Sequence, residues 1–469
     1  MKHVHLIGIG GTGLSAIARV LLERGYAVSG SDREASPLFK AITAAGARTF
    51  LEHAAEQVAG ADLVIRSSAI PDDNPEVVSA RMQGIPVLKR SEFLKEVTGD
   101  KVTLAVAGSH GKTTTTAMLI WVLESLGADP SFIVGGVVRQ LECNARAGAG
   151  LYFAIEADEY DLMFLGLSPR IAVITNIEHD HPDCFPTLEE YYSAFQKFLQ
   201  RVQPHGLALI CHDDPGAYRL VNEHEEAPFQ ISTYGMHPKA DYQAQNISVL
   251  DGMPTFDFTY PDPAGEKTSL AKARLSLPGQ HNVVNATAVL AVIHHLGLPL
   301  EKAIEALAGF QGAGRRFEVL GQAGGVTLID DYGHHPTEIS ATLEAARSRY
   351  PGQRIWAVWQ PHTFSRTKTL ESAFIKALGL ADRVIVLKIY ASREADTGYS
   401  GQQIADALPE SKAVYLEDFS AAKSFLLQNL ISGDIAIVFS AGDAPEISRD
   451  VLARLVESVD SWKEKSRHD

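Results

Sequence analysis

Sulfur is scarce in this chain of 469 residues: its three cysteines, Cys143, Cys184 and Cys211, stand far apart and form no C-x-x-C pair. That spacing supports neither a disulfide framework nor a cysteine-based zinc site, and it fits a reduced, cytoplasmic setting. Long apolar runs are missing too. No window approaches the ~18 uninterrupted apolar residues of a membrane span. The opening MKHVHLIGIGGTG is no secretory signal, because its short apolar run dissolves into glycines. Positive charge is in deficit, with a formal net charge of −15 and no long basic tract. This argues against nucleic acid as the main partner, while leaving room for a small anion held by local cations and backbone amides. What is present is ordinary for a soluble globular protein, with 45% hydrophobic and 21% charged residues. The length predicts roughly three domains at a prior of about 150 residues each.

Strand and helix signals alternate along most of the chain. Residues 3–9, 27–31, 63–66 and 87–88 read as strands, and 14–24 as a helix, which is a βαβ pattern with a mostly parallel sheet. A polar GDK at 99–101 reads as a linker. A second series follows: strands at 102–107, 151–155, 171–175 and 207–211, with helices at 114–126 and 188–202. From 231 to 277 the pattern turns antiparallel, with turns at Asp251-Gly252 and at the PDPAG of 261–265, before helices at 285–296 and 300–308. A third βα series has strands at 326–329, 355–359, 384–387, 413–416 and 435–439, with a helix at 336–349 that carries proline in its first turn. The charged tail 461–469 is expected to fray. The expected boundaries are 1–99, 100–312 and 313–469. The fold class is α/β, with an N-terminal Rossmann-like domain, a central P-loop-type domain of mostly parallel sheet plus a small antiparallel sheet, and a C-terminal Rossmann-like domain.

Two glycine loops carry the chemistry. AVAGSHGKTTTT at 105–116 lacks the first glycine of the strict G-x-x-x-x-G-K-[ST] motif, because Val106 stands there. The order strand, glycine loop, helix is nonetheless that of a phosphate site, since a helix N-terminus offers unpaired amides and partial positive charge. Gly108, Ser109, His110, Gly111, Lys112, Thr113 and Thr114 are the candidate contacts, with Lys112 on the outer phosphates and the Thr113 hydroxyl on a magnesium ion. An ordinary strand-to-helix turn with a surface lysine is the competing reading. The second loop, GIGGTG, places Gly8, Gly10 and Gly13 in G-x-G-x-x-G spacing, with Asp32 ending the next strand. That loop accepts any diphosphate, whether of NAD, FAD or UDP. Two acid- and histidine-rich stretches after strands, IEADEYD at 155–161 and TNIEHDHPD at 175–183, suit a divalent cation, with Glu156 and His181 as candidates. Two histidines two apart make no zinc signature by themselves.

GKTTTT, EADE, N-x-x-x-DH, HNVVN, GRRFE and DDYGHHPTE occur in this order over nearly the whole chain. With them the chain resembles the Mur ligases of peptidoglycan synthesis. The resemblance implies a first domain for UDP-N-acetylmuramate, a second for ATP, and a third, Rossmann-like but without an NAD role, that supplies the amino-acid pocket and closes over ATP. The implied reaction joins L-alanine to the lactyl carboxylate of the UDP-sugar through an acyl phosphate, with ATP and Mg²⁺. Carried over by motif, Lys112, Glu156, His181, Arg316 and His334 are catalytic, and Thr113, Glu156 and His181 serve metal. His281, Asn285, Arg316 and Asp331 join the ATP contacts, with Arg315 beside Arg316. Gly8, Gly10, Gly11, Gly13, Asp32, Ser67 and Ser68 take the UDP-sugar, and Tyr332, His362 and Arg366 the amino acid.

Ser109 stands where many relatives have threonine, and Thr363 where some have arginine. The latter leaves Arg366 as the expected partner of the amino-acid carboxylate. Lys197 lies near the position of a lysine that sister ligases carbamylate, but out of register, and receives no role. EADEYD also occurs in the tripeptide-adding branch of the family, whereas WQPHTFSRT resembles the alanine-adding branch. A folate-type amide ligase does not account for GIGGTG, an NAD-dependent oxidoreductase leaves the GKT loop without a role, and a non-catalytic nucleotide-binding regulator does not account for Lys112, Thr113, Glu156 and His181 together.

Overall fold

The computed structural model describes residues 2–223, 226–262, 264–392 and 394–465. The first sheet contains β1 (His3–Ile7), β2 (Ala27–Asp32), β3 (Arg48–Leu51), β4 (Leu63–Arg66) and β5 (Val87–Lys89), all parallel and in the order β3-β2-β1-β4-β5. The order reverses beside β1, so the turn after β1 lies at the switch point where open α/β sheets bind ligands. That turn is the GIGGTG loop. Gly8 takes φ +89°, and the helix Thr12–Glu23 follows.

The second sheet has ten strands. Its parallel part contains β6 (Val102–Ala107), β9 (Tyr152–Glu156), β10 (Ile171–Ile174), β11 (Leu207–Cys211) and β12 (Gln230–Gly235), and β7 (Ser131–Val138) pairs parallel with β9. β8 (Cys143–Arg146) adds an antiparallel edge at one end. β13 (Tyr242–Leu250), β14 (Met253–Pro261) and β15 (Lys267–Arg274) form an antiparallel meander at the other. The full order is β15-β14-β13-β12-β11-β10-β6-β9-β7-β8.

The third sheet contains β16 (Glu318–Ala323), β17 (Val326–Asp331), β18 (Ile355–Trp359), β19 (Arg383–Leu387), β20 (Ala413–Leu416) and β21 (Ile435–Phe439), in the order β16-β17-β21-β18-β19-β20. Only β16 is antiparallel.

Several sequence expectations need correction. The antiparallel region starts at Tyr242 and not near 231, because the helix Pro215–Glu223 returns β12 parallel to β11. The meander joins the parallel sheet through two residue pairs, Tyr234 with Tyr242 and Gly235 with Gln243. The helix expected from 285 begins at Gln280, since Asn282, Val283 and Asn285 are buried and its first turns are not a loop. β16 was absent from the sequence reading. It forms a hairpin with β17 across Gly324 and Gly325, both at positive φ (+60° and +77°), the backbone that a two-residue hairpin turn demands. In the PDPAG turn, residue 263 lies outside the described residues, and the chain around it closes through Gly265 N–H to Asp262 O. Of the tail 461–469, the last helix Pro445–Lys465 includes 461–465, and the remainder is outside the described residues.

The helix Lys112–Ser125 has almost no exposed stripe. Met118, Leu119, Ile120, Val122 and Leu123 are all buried, because it is packed on one side by its sheet and on the other by the helices Gln280–His295 and Leu300–Ala308. Each such side chain contributes about 1.5–3 kcal/mol, so the start of this helix, where the phosphate loop ends, is held rigidly.

The N-terminal sheet carries an internal polar network. Fully buried Glu76 receives the Ser31 hydroxyl and meets His5 Nε2 at 3.1 Å and His53 Nδ1 at 3.0 Å. Ser31 is also the residue whose carbonyl accepts the amides of Gly8 and Ile9. Replacing Glu76 with leucine leaves His5, His53 and Ser31 without their shared acceptor. The expected cost is about 3 kcal/mol of stability, read as a lower urea midpoint.

Candidate active site

β6 runs straight into residues 108–111, and backbone geometry sets the loop. Gly108 (φ +139°) lies so close to Thr175 that a Cβ there would collide with its hydroxyl. Gly111 (φ +79°) precedes the helix Lys112–Ser125 and gives it no side-chain cap, so no side chain competes for the first-turn amides. The TN of TNIEHDHPD holds the loop in place. Thr175 Oγ1 donates to His110 O at 2.6 Å, Asn176 Oδ1 accepts the His110 amide at 2.8 Å, and Asn176 O accepts the Ser109 amide. Asn285 packs on Gly111, its Oδ1 3.0 Å from where a Cβ would stand.

Lys112 is buried and folds back over the loop, donating to Gly108 O, to Ser109 O at 3.1 Å and to Glu159 at 2.9 Å. Burial works against the charge of Glu159, but Lys112 and His181 hold its carboxyl down at about 2. Thr113 Oγ1 donates to Glu156 Oε1 at 2.9 Å, and Gly135 N–H to Glu156 Oε2 at 2.6 Å. Burial raises the pKa of Glu156. His181, in the left-handed region at φ +54°, sits with Nε2 3.5 Å from Glu159 and 3.7 Å from Asp180. Thr113 and Glu156 are thus in direct contact, whereas His181 faces Glu159. A threonine hydroxyl paired with a carboxylate beside an uncapped helix start is a set of groups that can hold a phosphate and a hard divalent cation. Lys197 is exposed on the helix Leu188–Leu199.

The C-terminal sheet brings its own groups to this point. Arg316 donates to Glu338 at 3.1 Å, and Glu338 also accepts the His334 amide at 3.1 Å. Arg315 and Arg316 stack on Tyr332, at 4.9 and 5.0 Å from its ring centre. Asp331 spends both oxygens on backbone amides, those of Phe317 (2.8 Å) and Gly333 (2.7 Å), and burial lifts its pKa to about 6. It shapes the turn after β17. Arg366, expected to receive a carboxylate from the amino acid, is paired here with Asp180: Nε and Nη2 reach Oδ1 at 2.9 and 2.7 Å, with both side chains buried. Arg366 Nη1 also meets His362 Nδ1 at 3.1 Å. His281 is exposed one turn before the buried Asn285.

At the N-terminal sheet, Asp32 Oδ2 accepts the Gly10 amide at 2.8 Å and so shapes its loop. Gly11 N–H closes back on Gly8 O, Ser67 packs on Gly8, and Ser68 is exposed nearby. A cleft of about 140 Å³ connects this loop to the phosphate site, lined among others by Thr12, Gly13, Arg90, Gly135, Glu156 and Asp158. A Cβ at Gly13 would displace the guanidinium of Arg90 from the cleft.

The sequence reading missed Glu159, Asp180, Glu178, Glu338 and Arg90. The first four lie inside motifs already singled out, and only side-chain direction separates them from their neighbours. Arg90 carries no sequence signal.

Three imidazoles here are held neutral. Burial pushes His334, His335 and His362 down to about 3, 4 and 4. Their folded pKa values lie below the ordinary 6.5, so the stability they contribute is full above pH 6.5 and is lost as pH falls toward 4. His110 runs the other way. Burial opposes its charge, but Glu178 and Glu338 raise it to about 9, so its contribution is full below 6.5 and fades as pH rises through 9. Between pH 6.5 and 4.5 His110 is protonated in both states and adds no slope, while Asp330 and Asp331, raised to about 6, partly offset the three imidazoles, so the urea midpoint is expected to fall, though by less than the imidazoles alone would give. A flat profile across that interval overturns the assignment of neutral buried histidines.

Comparison with known proteins agrees with this geometry. Residues 3–101 match the family described as "Mur ligase family, catalytic domain", 106–293 the "Mur ligase middle domain", and 315–442 the "Mur ligase, glutamate ligase domain". A UDP-N-acetylmuramate--L-alanine ligase of Geobacter sp. (strain M21) is 40% identical over 465 residues, covering 98% of this chain and 99% of that one. The protein of the same name from Thermobifida fusca (strain YX) is 43% identical over 468 residues, covering 98% and 97%. The crystal structure of UDP-N-acetylmuramate-alanine ligase MurC from Thermotoga maritima superposes with a TM-score of 0.81 at 30% identity, covering 98% of this chain and 100% of that one. By full-length similarity and by the three sheets that converge on one phosphate loop, this chain belongs to the Mur ligase family.

Proposed function

We propose that this chain is an ATP-dependent ligase that joins L-alanine to the lactyl carboxylate of UDP-N-acetylmuramate. The observation that carries the reading is the convergence of Lys112, Glu156 and Arg316, one pair from the central sheet and one cation from the C-terminal sheet, at the end of a cleft that begins at the GIGGTG loop. Full-length similarity to ligases of that name supports the substrates. We also propose the units 1–99, 100–312 and 313–469 as the UDP-sugar, ATP and amino-acid domains.

Forming an amide from a carboxylate in water requires a better leaving group than oxide. Transfer of a phosphoryl group to the carboxylate provides one, and attack by the amine then expels phosphate. No enzyme nucleophile is needed, so the protein's work is positioning and charge neutralisation. Lys112 and Arg316 supply the cations, and the first-turn amides of the helix Lys112–Ser125 supply oriented donors. Thr113 and Glu156, with His181 beside Glu159, would hold Mg²⁺, which neutralises phosphate charge when bound. Arg90 and Gly13 orient the sugar end of the cleft, with Gly8, Gly10, Gly11, Asp32 and Ser67 shaping the diphosphate loop. His334 and His362, held neutral by burial at about 3 and 4, are too weak to deprotonate an ammonium and serve instead as hydrogen-bond partners at the amino-acid end of the site. Tyr332 and Arg366 lie beside them.

The test is the purified protein with ATP, Mg²⁺, UDP-N-acetylmuramate and a panel of L-alanine, glycine, L-serine and tripeptide, scored by phosphate release and by the mass of the nucleotide-sugar product. The alanine adduct is expected to dominate. A tripeptide adduct in its place assigns the chain to the peptide-adding branch.

A further inference from the structure

We propose that His110, Glu178 and His335 form a second metal site, for a zinc-class divalent cation, that clamps the phosphate loop to the C-terminal sheet. One ligand atom from each of the three residues can be chosen so that all lie within 4.8 Å of one another. The individual edges are closer to a coordination sphere than that bound. His110 Nε2 stands 3.1 Å from Glu178 Oε2, and His335 Nδ1 stands 3.8 Å from the same oxygen. A tetrahedral ion with bonds of about 2.0–2.1 Å needs ligand–ligand edges of about 3.3 Å, which these two distances bracket. The two rings lie 4.5 Å apart, tilted by 36°.

A second observation is independent of the spacing. His110 and His335 are 8% and 2% exposed, and the outer nitrogen of His110, Nδ1, faces Glu338 Oε1 at 3.5 Å, as the second nitrogen of a ligating imidazole does. The surroundings are those of a ligand set. Thr337 Oγ1 donates to both oxygens of Glu178 at 2.8 Å and fixes the carboxylate, and Glu338 lies 3.5 Å from His110 Nδ1, where it orients the ring from outside. Two imidazoles and one carboxylate suit Zn²⁺ or Co²⁺, whereas Mg²⁺ prefers oxygen throughout. The site is therefore chemically separate from the oxygen-rich Thr113–Glu156 pair.

The three ligands come from different parts of the fold: the loop after β6, the segment after β10, and the residue capping the helix Pro336–Arg349. An ion bound to all three ties the central and C-terminal units together and immobilises His110 within the phosphate loop. Zinc-class ions are thus expected to stabilise the closed arrangement and slow turnover.

The test titrates Co²⁺ into the whole protein with Mg²⁺ in excess and follows the intense visible absorption of four-coordinate Co²⁺. Wild type and Glu156→Gln are expected to develop the band at one equivalent. His335→Asn, which keeps a side chain able to cap the helix, is expected to lose it or to bind at least about tenfold more weakly. Zn²⁺ alone is expected to raise the Tm of wild type but not of His335→Asn. Should His335→Asn fail to fold, as judged by circular dichroism, Glu178→Gln takes its place. Absence of the band in wild type, an equal band in the His335 or Glu178 variant, or its loss in Glu156→Gln overturns the proposal.

Discussion

Lys112→Ala is expected to lower ATP-dependent amide formation by roughly 10³-fold or more, the loss seen when a positioned cation or donor on a transferring group is removed. Binding of the UDP-sugar, measured calorimetrically without ATP, is expected to stay within a few-fold of wild type, because the GIGGTG loop and Arg90 do not contact Lys112. Two local consequences separate this from general damage. Glu159 is buried and uses Lys112 as its main counter-charge, so the variant strands a carboxylate. A buried pair broken from one side costs about 3–5 kcal/mol. Lys112→Ala, Glu159→Gln is therefore expected to recover much of the stability but none of the activity. Equal turnover by Lys112→Ala would sink the assignment of the loop.

The second large effect concerns closure. Asp180 and Arg366 join the central and C-terminal units through a buried pair, and burial that would raise the Asp180 carboxyl is overcome mainly by Arg366, which holds it well below its usual range. Asp180→Ala leaves the guanidinium of Arg366 in a site 3% exposed with only His362 beside it. The expected result is a C-terminal unit that swings away. Small-angle scattering would show a larger radius of gyration, and kcat would drop by about 10²-fold or more as the Arg316 cation leaves the phosphate site. A double-mutant cycle with Arg366→Gln is expected to give strong coupling. A scattering profile and kcat equal to wild type would show that the pair does not control closure.

The strand–glycine loop–helix unit proposed to hold phosphate is legible in the sequence because its geometry is local. Strand, glycine turn, lysine and helix start are consecutive in sequence, and backbone geometry confines them to one place. The same holds for GIGGTG, where the left-handed Gly8 and the pairing of Asp32 with the Gly10 amide follow from one βαβ turn. In IEADEYD the reading chose Glu156 and passed over Glu159. The structure uses both, Glu156 on Thr113 and Glu159 on Lys112. Residues 160–166 leave the strand in a 3₁₀ segment, broken by Asp161 and Leu162 at φ +54°, and no periodicity announces which acid such a segment turns inward. The early start of the helix Gln280–His295 was hidden for a related reason. Asn282 and Asn285 look like loop residues until their burial, with Asn285 against Gly111, is known.

By itself the sequence determined the three-part α/β organisation, the two anion loops and the motif order that places the chain in its family, because each rests on residues adjacent in the chain or on a period of hydrophobicity. Only the tertiary structure decided that Lys112 pairs with Glu159, that Arg366 pairs with Asp180, and that His110, Glu178 and His335 meet. Those contacts cross 47, 186 and at least 68 positions of chain. Partners so distant are chosen by how separate sheets pack and by the cost of burying any charge that fails to find its opposite.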